Sequence, residues 1–126
     1  MARTEIRTDG APHPLGGYSQ GIKAGRLIFT AGQVGIDPAT GDLAGPTMDQ
    51  QTARALDNIV AVLGEAGATL ADVVKVTAFL GDMSLFAEYD RVYRTYFPEP
   101  RPARSSVGVN LGRYLVEIEA IAVLPD

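Results

Sequence analysis

The chain has 126 residues, of which 46% are apolar and 21% charged; this suits one packed domain over 1–126 and excludes collagenous, coiled-coil and disordered chains. Eleven basic against 15 acidic residues leave a net charge of −4, the wrong sign for a general nucleic-acid binder, which displaces counterions from phosphates with a basic face. Cysteine is absent, so disulfides, thiolate nucleophiles and cysteine-held metals are excluded.

In chain order, alternation over 5–8 predicts an edge strand, followed by a loop rich in turn formers from Gly10 to Gly17. Strands are predicted at 22–24 and 27–31, paired through a two-residue turn at Gly25-Arg26. The second ends at Gly32, where a missing side chain lets another group approach the backbone. Thr47 and Gln50 have the spacing of a capping box. The helix it starts carries Ala53, Leu56, Ile59, Val60 and Leu63 on its apolar stripe, with Gln51, Arg54, Asp57, Asn58 and Glu65 opposite, and Gly67 caps its end.

Residues 73–80 are nearly continuous in strand formers, as expected of a central strand covered on both faces. Leu85, Phe86, Tyr89, Val92, Tyr93, Tyr96 and Phe97 form the stripe of a second helix, which Pro98 stops. Two last strands are predicted at 104–110 and 115–123, joined by a tight turn at Gly112-Arg113. That hairpin would put Arg104, Ser106 and Gly108 on one face with Glu117, Glu119 and Ile121. The pattern predicts an α+β layer: a mixed six-stranded sheet with both helices on one face and the other face buried in a neighbouring subunit.

No stretch approaches the ~20 apolar residues of a membrane span and the start lacks a secretory signal, so a soluble, unprocessed, cytoplasmic protein is expected. Phosphate-cradling, dinucleotide, zinc-protease and nucleophile-elbow motifs are all missing. The single histidine, His13, lies between two prolines, which places it in a surface loop and disfavours a Ser-His-Asp triad or a histidine-held metal. Nine of the 11 basic residues are Arg, so recognition of a planar anion would draw on a guanidinium fork. Arg104 reads either as a surface ion-pair residue or as a clamp for a small carboxylate. Arg91, Arg94 and Arg101 read as a solvated helix face and loop. Glu117 and Glu119, on an otherwise apolar strand, either meet solvent or an arginine, or serve as a base that orients water. Tyr18 is a loop aromatic over a pocket or a plain packing residue.

Four segments together resemble the RidA family, the YjgF-like reactive-intermediate deaminases. They are Gly16-Gly17-Tyr18-Ser19-Gln20-Gly21, Ile28-Phe29-Thr30-Ala31-Gly32-Gln33-Val34, Pro102-Ala103-Arg104-Ser105 and Val116-Glu117-Ile118-Glu119-Ala120-Ile121-Ala122-Val123. The resemblance implies a chorismate-mutase-like homotrimer with pockets in the clefts between subunits. It also implies hydrolysis of 2-imino acids and their enamine tautomers, such as 2-iminopropanoate and 2-aminoacrylate, to 2-keto acids and ammonia, with no cofactor or metal; the charge and hydropathy read above lead to the expectation of no nucleic-acid or membrane partner. By the same resemblance Arg104 grips the substrate carboxylate, Glu117 positions or activates the attacking water, Tyr18 belongs to the pocket and the Gly32 backbone comes close to the substrate.

Ala31, Asp90 and Ser106 are the remaining substrate-binding positions, and each departs from the family pattern. Ala31 stands where many members carry serine, Asp90 where the deaminases carry asparagine, and Ser106 where some carry cysteine. The loop over 110–114 is also shorter than usual. The charge of Asp90, set against a carboxylate, is expected to alter substrate range. In the predicted hairpin Arg104 opposes Ile121, about 13 Å from Glu117 at ~3.3 Å per residue, so the working pair is expected to come from different subunits. A non-catalytic, regulatory trimer that binds small carboxylates is the alternative, while a ribonuclease reading is disfavoured by the acidic charge and the lone loop histidine.

Overall fold

The chain enters its sheet as an antiparallel meander. In a computed structural model describing residues 2–125, β1 (Arg3–Ile6) pairs with β2 (Gly21–Ala24), which pairs with β3 (Leu27–Thr30). The β2–β3 turn forms at Gly25 and Arg26 as predicted, with Gly25 at φ +63°, a conformation that a side chain would strain. The edge strand begins two residues earlier than the alternation over 5–8 indicates.

Six strands follow the order β1-β2-β3-β7-β5-β6, where β5 is Val73–Leu80, β6 Ala103–Gly108 and β7 Val116–Val123. A seventh, β4 (Gln33–Val34), continues the edge of β3 along β7; two residues are too few for a periodic signal. Phe29 opposes Ile121 and Gln33 opposes Ile118, so four steps along one edge match three along the other. The extra residue is a bulge at 30–32, where the Thr30 hydroxyl accepts the Ala120 N–H at 3.0 Å in place of a ladder bond.

Both helices cover one face of the sheet. Helix α1 (Met48–Glu65) starts at the predicted capping box, in which the Thr47 hydroxyl accepts from the Gln50 N–H and the Gln50 side chain accepts from the Thr47 N–H. Gly67 follows it at φ +84°. Leu56, Ile59, Val62 and Leu63 are fully buried, each contributing about 1.5–3 kcal/mol by leaving water.

Two polar residues assigned to the outer face of α1 lie inside instead. Gln51 donates to the Gly45 carbonyl and accepts the Leu115 N–H. Asn58 donates to the carbonyls of Val34 and Ile36 at 3.2 and 2.9 Å and accepts from Arg54. Buried amides are retained where they satisfy backbone groups that leave a ladder; here they tie α1 to β4 and to the start of β7.

The sequence-predicted hairpin between the last two strands does not form. β6 lies parallel to β5, with Val76 opposite Arg104, while β7 lies antiparallel along the other edge of β5, with Phe79 opposite Glu117. The tight-turn signal is local, whereas a central β5 needs a neighbour on each side. The connection therefore crosses the end of β5, with Val109 N–H donating to Leu80 O and Gly81 N–H to Leu115 O.

Helix α2 (Phe86–Tyr96) runs from a short 3-10 turn to Phe97, just before Pro98. The core lies between the helices and Val76, Ala78, Leu80, Val116, Ile118 and Ala122 of the central strands. The opposite face carries no layer among the described residues: Leu27, Phe29, Val74 and Val107 are each between 40% and 49% exposed. Among the described residues no helix is long and apolar enough to cross a membrane.

Candidate functional site

Strand register decides where Arg104 points. Paired with Val76, which is fully buried under the helices, it turns toward α2. There Phe86, Tyr89 and Tyr93 share a helix face, and the guanidinium carbon sits 5.5, 5.3 and 4.5 Å from their ring centroids, within reach of cation–π attraction of about 1 kcal/mol. Arg104 Nη1 donates to Asp90 Oδ1 at 2.8 Å, and the other Asp90 oxygen accepts from Arg94 Nε at 2.9 Å.

Burial pushes the Asp90 carboxyl up, but hydrogen bonds from Arg94 and Arg104, with their charges, outweigh it and hold the group below its ordinary value. For Arg104 burial works downward, and the bond to Asp90 with the nearby tyrosines and carboxylate raises it overall. Asp90 is thus an ionised partner that orients Arg104. A guanidinium has five N–H donors, so the bond to Asp90 leaves donors for a ligand. Ser106 shares the helix-side face of β6 and sits 3.2 Å from the Tyr89 hydroxyl.

A second group gathers around the bulge. A recess of about 410 Å³ is lined by His13, Tyr18, Gly32, Asn110, Tyr114 and Glu117, among others. A Cβ on Gly32 would stand 2.9 Å from both Cγ and Cδ of Glu117. The bare glycine is therefore the notch in which that carboxylate rests, as its place at a strand end indicates. Burial, then the charge of Glu119, pushes Glu117 above the ordinary glutamate range, which suits a group that exchanges a proton with water.

Ala31, next to the notch, donates its N–H to Gln20 O at 2.9 Å. The loop over the recess is held by the buried Gln20 amide, which accepts the Thr8 N–H and donates toward the carbonyls of Thr8, Ala11 and Pro12. His13 is on an exposed loop, as predicted, bonded to Asp9 at 2.7 Å, yet it borders the recess.

The predicted site residues therefore fall into two sets. Tyr18, Ala31, Gly32 and Glu117 collect on one side, and Asp90, Arg104 and Ser106 on the other. Arg104 shares neither a hairpin nor a face with Glu117 and Glu119, because Val76 and Phe79 point to opposite sides of β5. Two strand spacings and three residues separate Arg104 from Glu117, about 14 Å between Cα atoms at ~4.8 Å per strand and ~3.3 Å per residue.

Gln20, Gln51 and Asn58 were legible as polar but not as anchors, since the backbone groups they bond lie 6 to 64 residues away. Arg94 and Arg101, read as solvated, border a recess with Arg104. Among the described residues no group of three or more His, Asp or Glu side chains is placed to hold a metal ion.

A mixed sheet with two helices on one face, an arginine cradled by aromatics and an acid seated in a glycine notch define a small α+β protein of the chorismate-mutase-like class. The family model described as Endoribonuclease L-PSP matches residues 8–124, and the chain belongs to this family, which includes the YjgF and RidA proteins. A RutC family protein of Pyrococcus abyssi is 50% identical over 124 residues, covering 97% of this chain and 98% of the relative. The chloroplastic Reactive Intermediate Deaminase A of Arabidopsis thaliana is 40% identical over 121 residues, covering 94% of this chain and 65% of that protein. The crystal structure of E. coli TdcF with bound serine superposes with a TM-score of 0.91 at 35% identity, covering 97% and 99% of the two chains. At family level these relationships support a deaminase-type role.

Proposed function

We propose that the protein is a homotrimer that hydrolyses small 2-imino acids and their enamine tautomers, such as 2-iminopropanoate and 2-aminoacrylate, to 2-keto acids and ammonia. The observation that carries this reading is the division of the site. The carboxylate clamp at Arg104 and the acid notch at Glu117 lie on opposite faces of the sheet, too far apart for one small molecule to touch both. A second copy laid on the open apolar face around Phe29 and Val107 would bring its Arg104 to the recess of Tyr18, Gly32 and Glu117. Serine in the E. coli relative is a ligand of the right size, with a carboxylate for the clamp.

In that cleft Arg104 binds the substrate carboxylate through parallel N–H donors, held in orientation by Asp90 and the α2 aromatics. Water attacks the imine carbon as Glu117 takes one of its protons, and the C=N bond becomes a C–N single bond. That proton passes to nitrogen to give the neutral carbinolamine, the hydroxyl proton follows to nitrogen by way of Glu117, and the C–N bond then breaks with its electron pair leaving on ammonia as the carbonyl of the keto acid forms. Reactants and products balance as imine plus water giving keto acid plus ammonia, and most of the rate gain comes from orientation.

The test follows decay of 2-iminopropanoate generated in situ from alanine by an amino-acid oxidase. Wild-type protein accelerates it, and Arg104→Ala abolishes the acceleration while keeping the folded mass near 40 kDa, three times the 13.3 kDa chain. Equal decay with and without wild-type protein removes the enzymatic reading, and binding of pyruvate without turnover makes the chain a carboxylate-binding trimer instead.

A further inference from the structure

The recess beside Arg104 holds more positive charge than one carboxylate requires. Its lining of about 260 Å³ is formed by Asp90, Tyr93, Arg94, Arg101, Pro102 and Arg104. Asp90 is the only carboxylate among them, and both its oxygens are engaged, one by Arg104 and the other by Arg94. Three guanidiniums against one carboxylate leave two net positive charges around a cavity the size of a small metabolite. Among the described residues Arg101 pairs only with Glu99, at 3.3 Å and two residues away, and the Glu99 side chain is 84% exposed, so this surface contact yields readily to a ligand. The Tyr93 hydroxyl supplies a further observation: it is buried and has no hydrogen-bond partner among the described residues. Burial pushes it up to about 12, so it remains a neutral O–H beside the guanidiniums.

Resting on the imine-hydrolase reading above, we infer that Arg101 recognises a second carboxylate on the substrate, so that this site favours 2-imino dicarboxylates, the imines of aspartate or glutamate, over monocarboxylate imines. Arg104 takes the carboxylate next to the imine carbon. Arg101, three residues earlier on the extended segment leading into β6, takes the carboxylate at the end of the side chain. A dianion then finds a guanidinium for each charge, whereas the imine of alanine leaves Arg101 on its weak surface partner.

The measurement is the ratio of kcat/KM for the glutamate-derived imine to that for the alanine-derived imine, each generated in situ by an amino-acid oxidase, together with the ratio of Kd values for 2-oxoglutarate and pyruvate by calorimetry. Wild-type protein favours the dicarboxylate in both, and Arg101→Gln lowers each preference at least tenfold. Arg3→Gln, which removes the same charge from β1, leaves both ratios in place. A wild-type preference for the monocarboxylate, or ratios unmoved in Arg101→Gln, overturns the assignment. If no imine is turned over but an Arg101-dependent preference for 2-oxoglutarate appears, the catalytic reading fails and the dicarboxylate site stands.

Discussion

Replacing Gly32 by alanine tests whether the acid must sit in its notch. The added Cβ would lie 2.9 Å from Cγ and Cδ of Glu117 and 3.2 Å from Oε2, whereas carbon atoms pack at about 3.5–4.0 Å. Glu117 must therefore retreat by roughly 0.6–1 Å. Gly32 is not among the glycines with positive φ, which are Gly25, Gly41, Gly67 and Gly112, so alanine fits the backbone without strain. The obstacle is the end of a flexible side chain, and the cost to folding is on the order of 0.5 kcal/mol. Misplacing a reacting group by ~1 Å costs up to ~100-fold in rate, about 2.7 kcal/mol at ~1.36 kcal/mol per decade. The expected result is a kcat on the 2-iminopropanoate assay lowered ~10–100-fold, with KM little changed because Arg104 still grips the carboxylate, and with Tm and oligomer size as in wild type. Wild-type kcat in a folded Gly32→Ala protein would refute the reasoning, since the position of Glu117 would then be immaterial.

Gly35→Ala is the structural counterpart: its Cβ would meet the Gln51 backbone at 2.6–2.7 Å, which cannot step aside, so thermal unfolding should show a loss of about 1–3 kcal/mol. Gly64, exposed within α1 with open space at its Cβ, gains about 0.5–1 kcal/mol as alanine, read by the same melt with activity unchanged. Co-expressing Arg104→Ala and Glu117→Gln chains with different tags should restore about a quarter of wild-type activity, the chance under random mixing that a clamp and an acid from neighbouring copies are both intact; purified hybrids that stay inactive exclude a shared site. Because Glu117 lies above its ordinary value through burial and the Glu119 charge, kcat/KM should fall as pH drops through that raised value, and Glu119→Gln should move this acid limb to lower pH. The stability sign is the reverse of a salt-bridged acid: ionised Glu117 costs stability as pH rises through its folded pKa, so Glu117→Gln melts higher than wild type near neutral pH and the difference closes below about 4.5.

What could be read from the residues alone was whatever local chemistry specifies. The Thr47–Gln50 box, the φ > 0 glycines at 25 and 67 and the aromatic stripe of α2 are contained within a few residues of chain, and each stands where expected. The continuous apolar run of β5 marked it correctly as central. That same centrality defeats the hairpin after it, because β5 separates β6 from β7, and a turn signal at Gly112 carries no information about which edge each strand will find. The faces of Arg104 and Glu117 were inverted relative to each other for this reason alone. Gln51 and Asn58 were misplaced because an amide on a helix reads as solvent-facing until the ladder ends it serves are known. Asp90, singled out for its charge against a bound carboxylate, accepts a hydrogen bond from Arg104, a pairing between positions 14 residues apart that no local pattern announces.

The unequal count between Phe29–Gln33 and Ile118–Ile121 has a consequence for how this chain tolerates change in length. Removing one residue from 30–32 would not merely shorten a loop; it would straighten the edge into regular pairing and rotate Gln33 and Val34 by half a turn, inverting their sides. The hollow beneath the acid exists because two neighbouring strands disagree by one, so its shape is set by the count of peptide units along one edge rather than by any single side chain there.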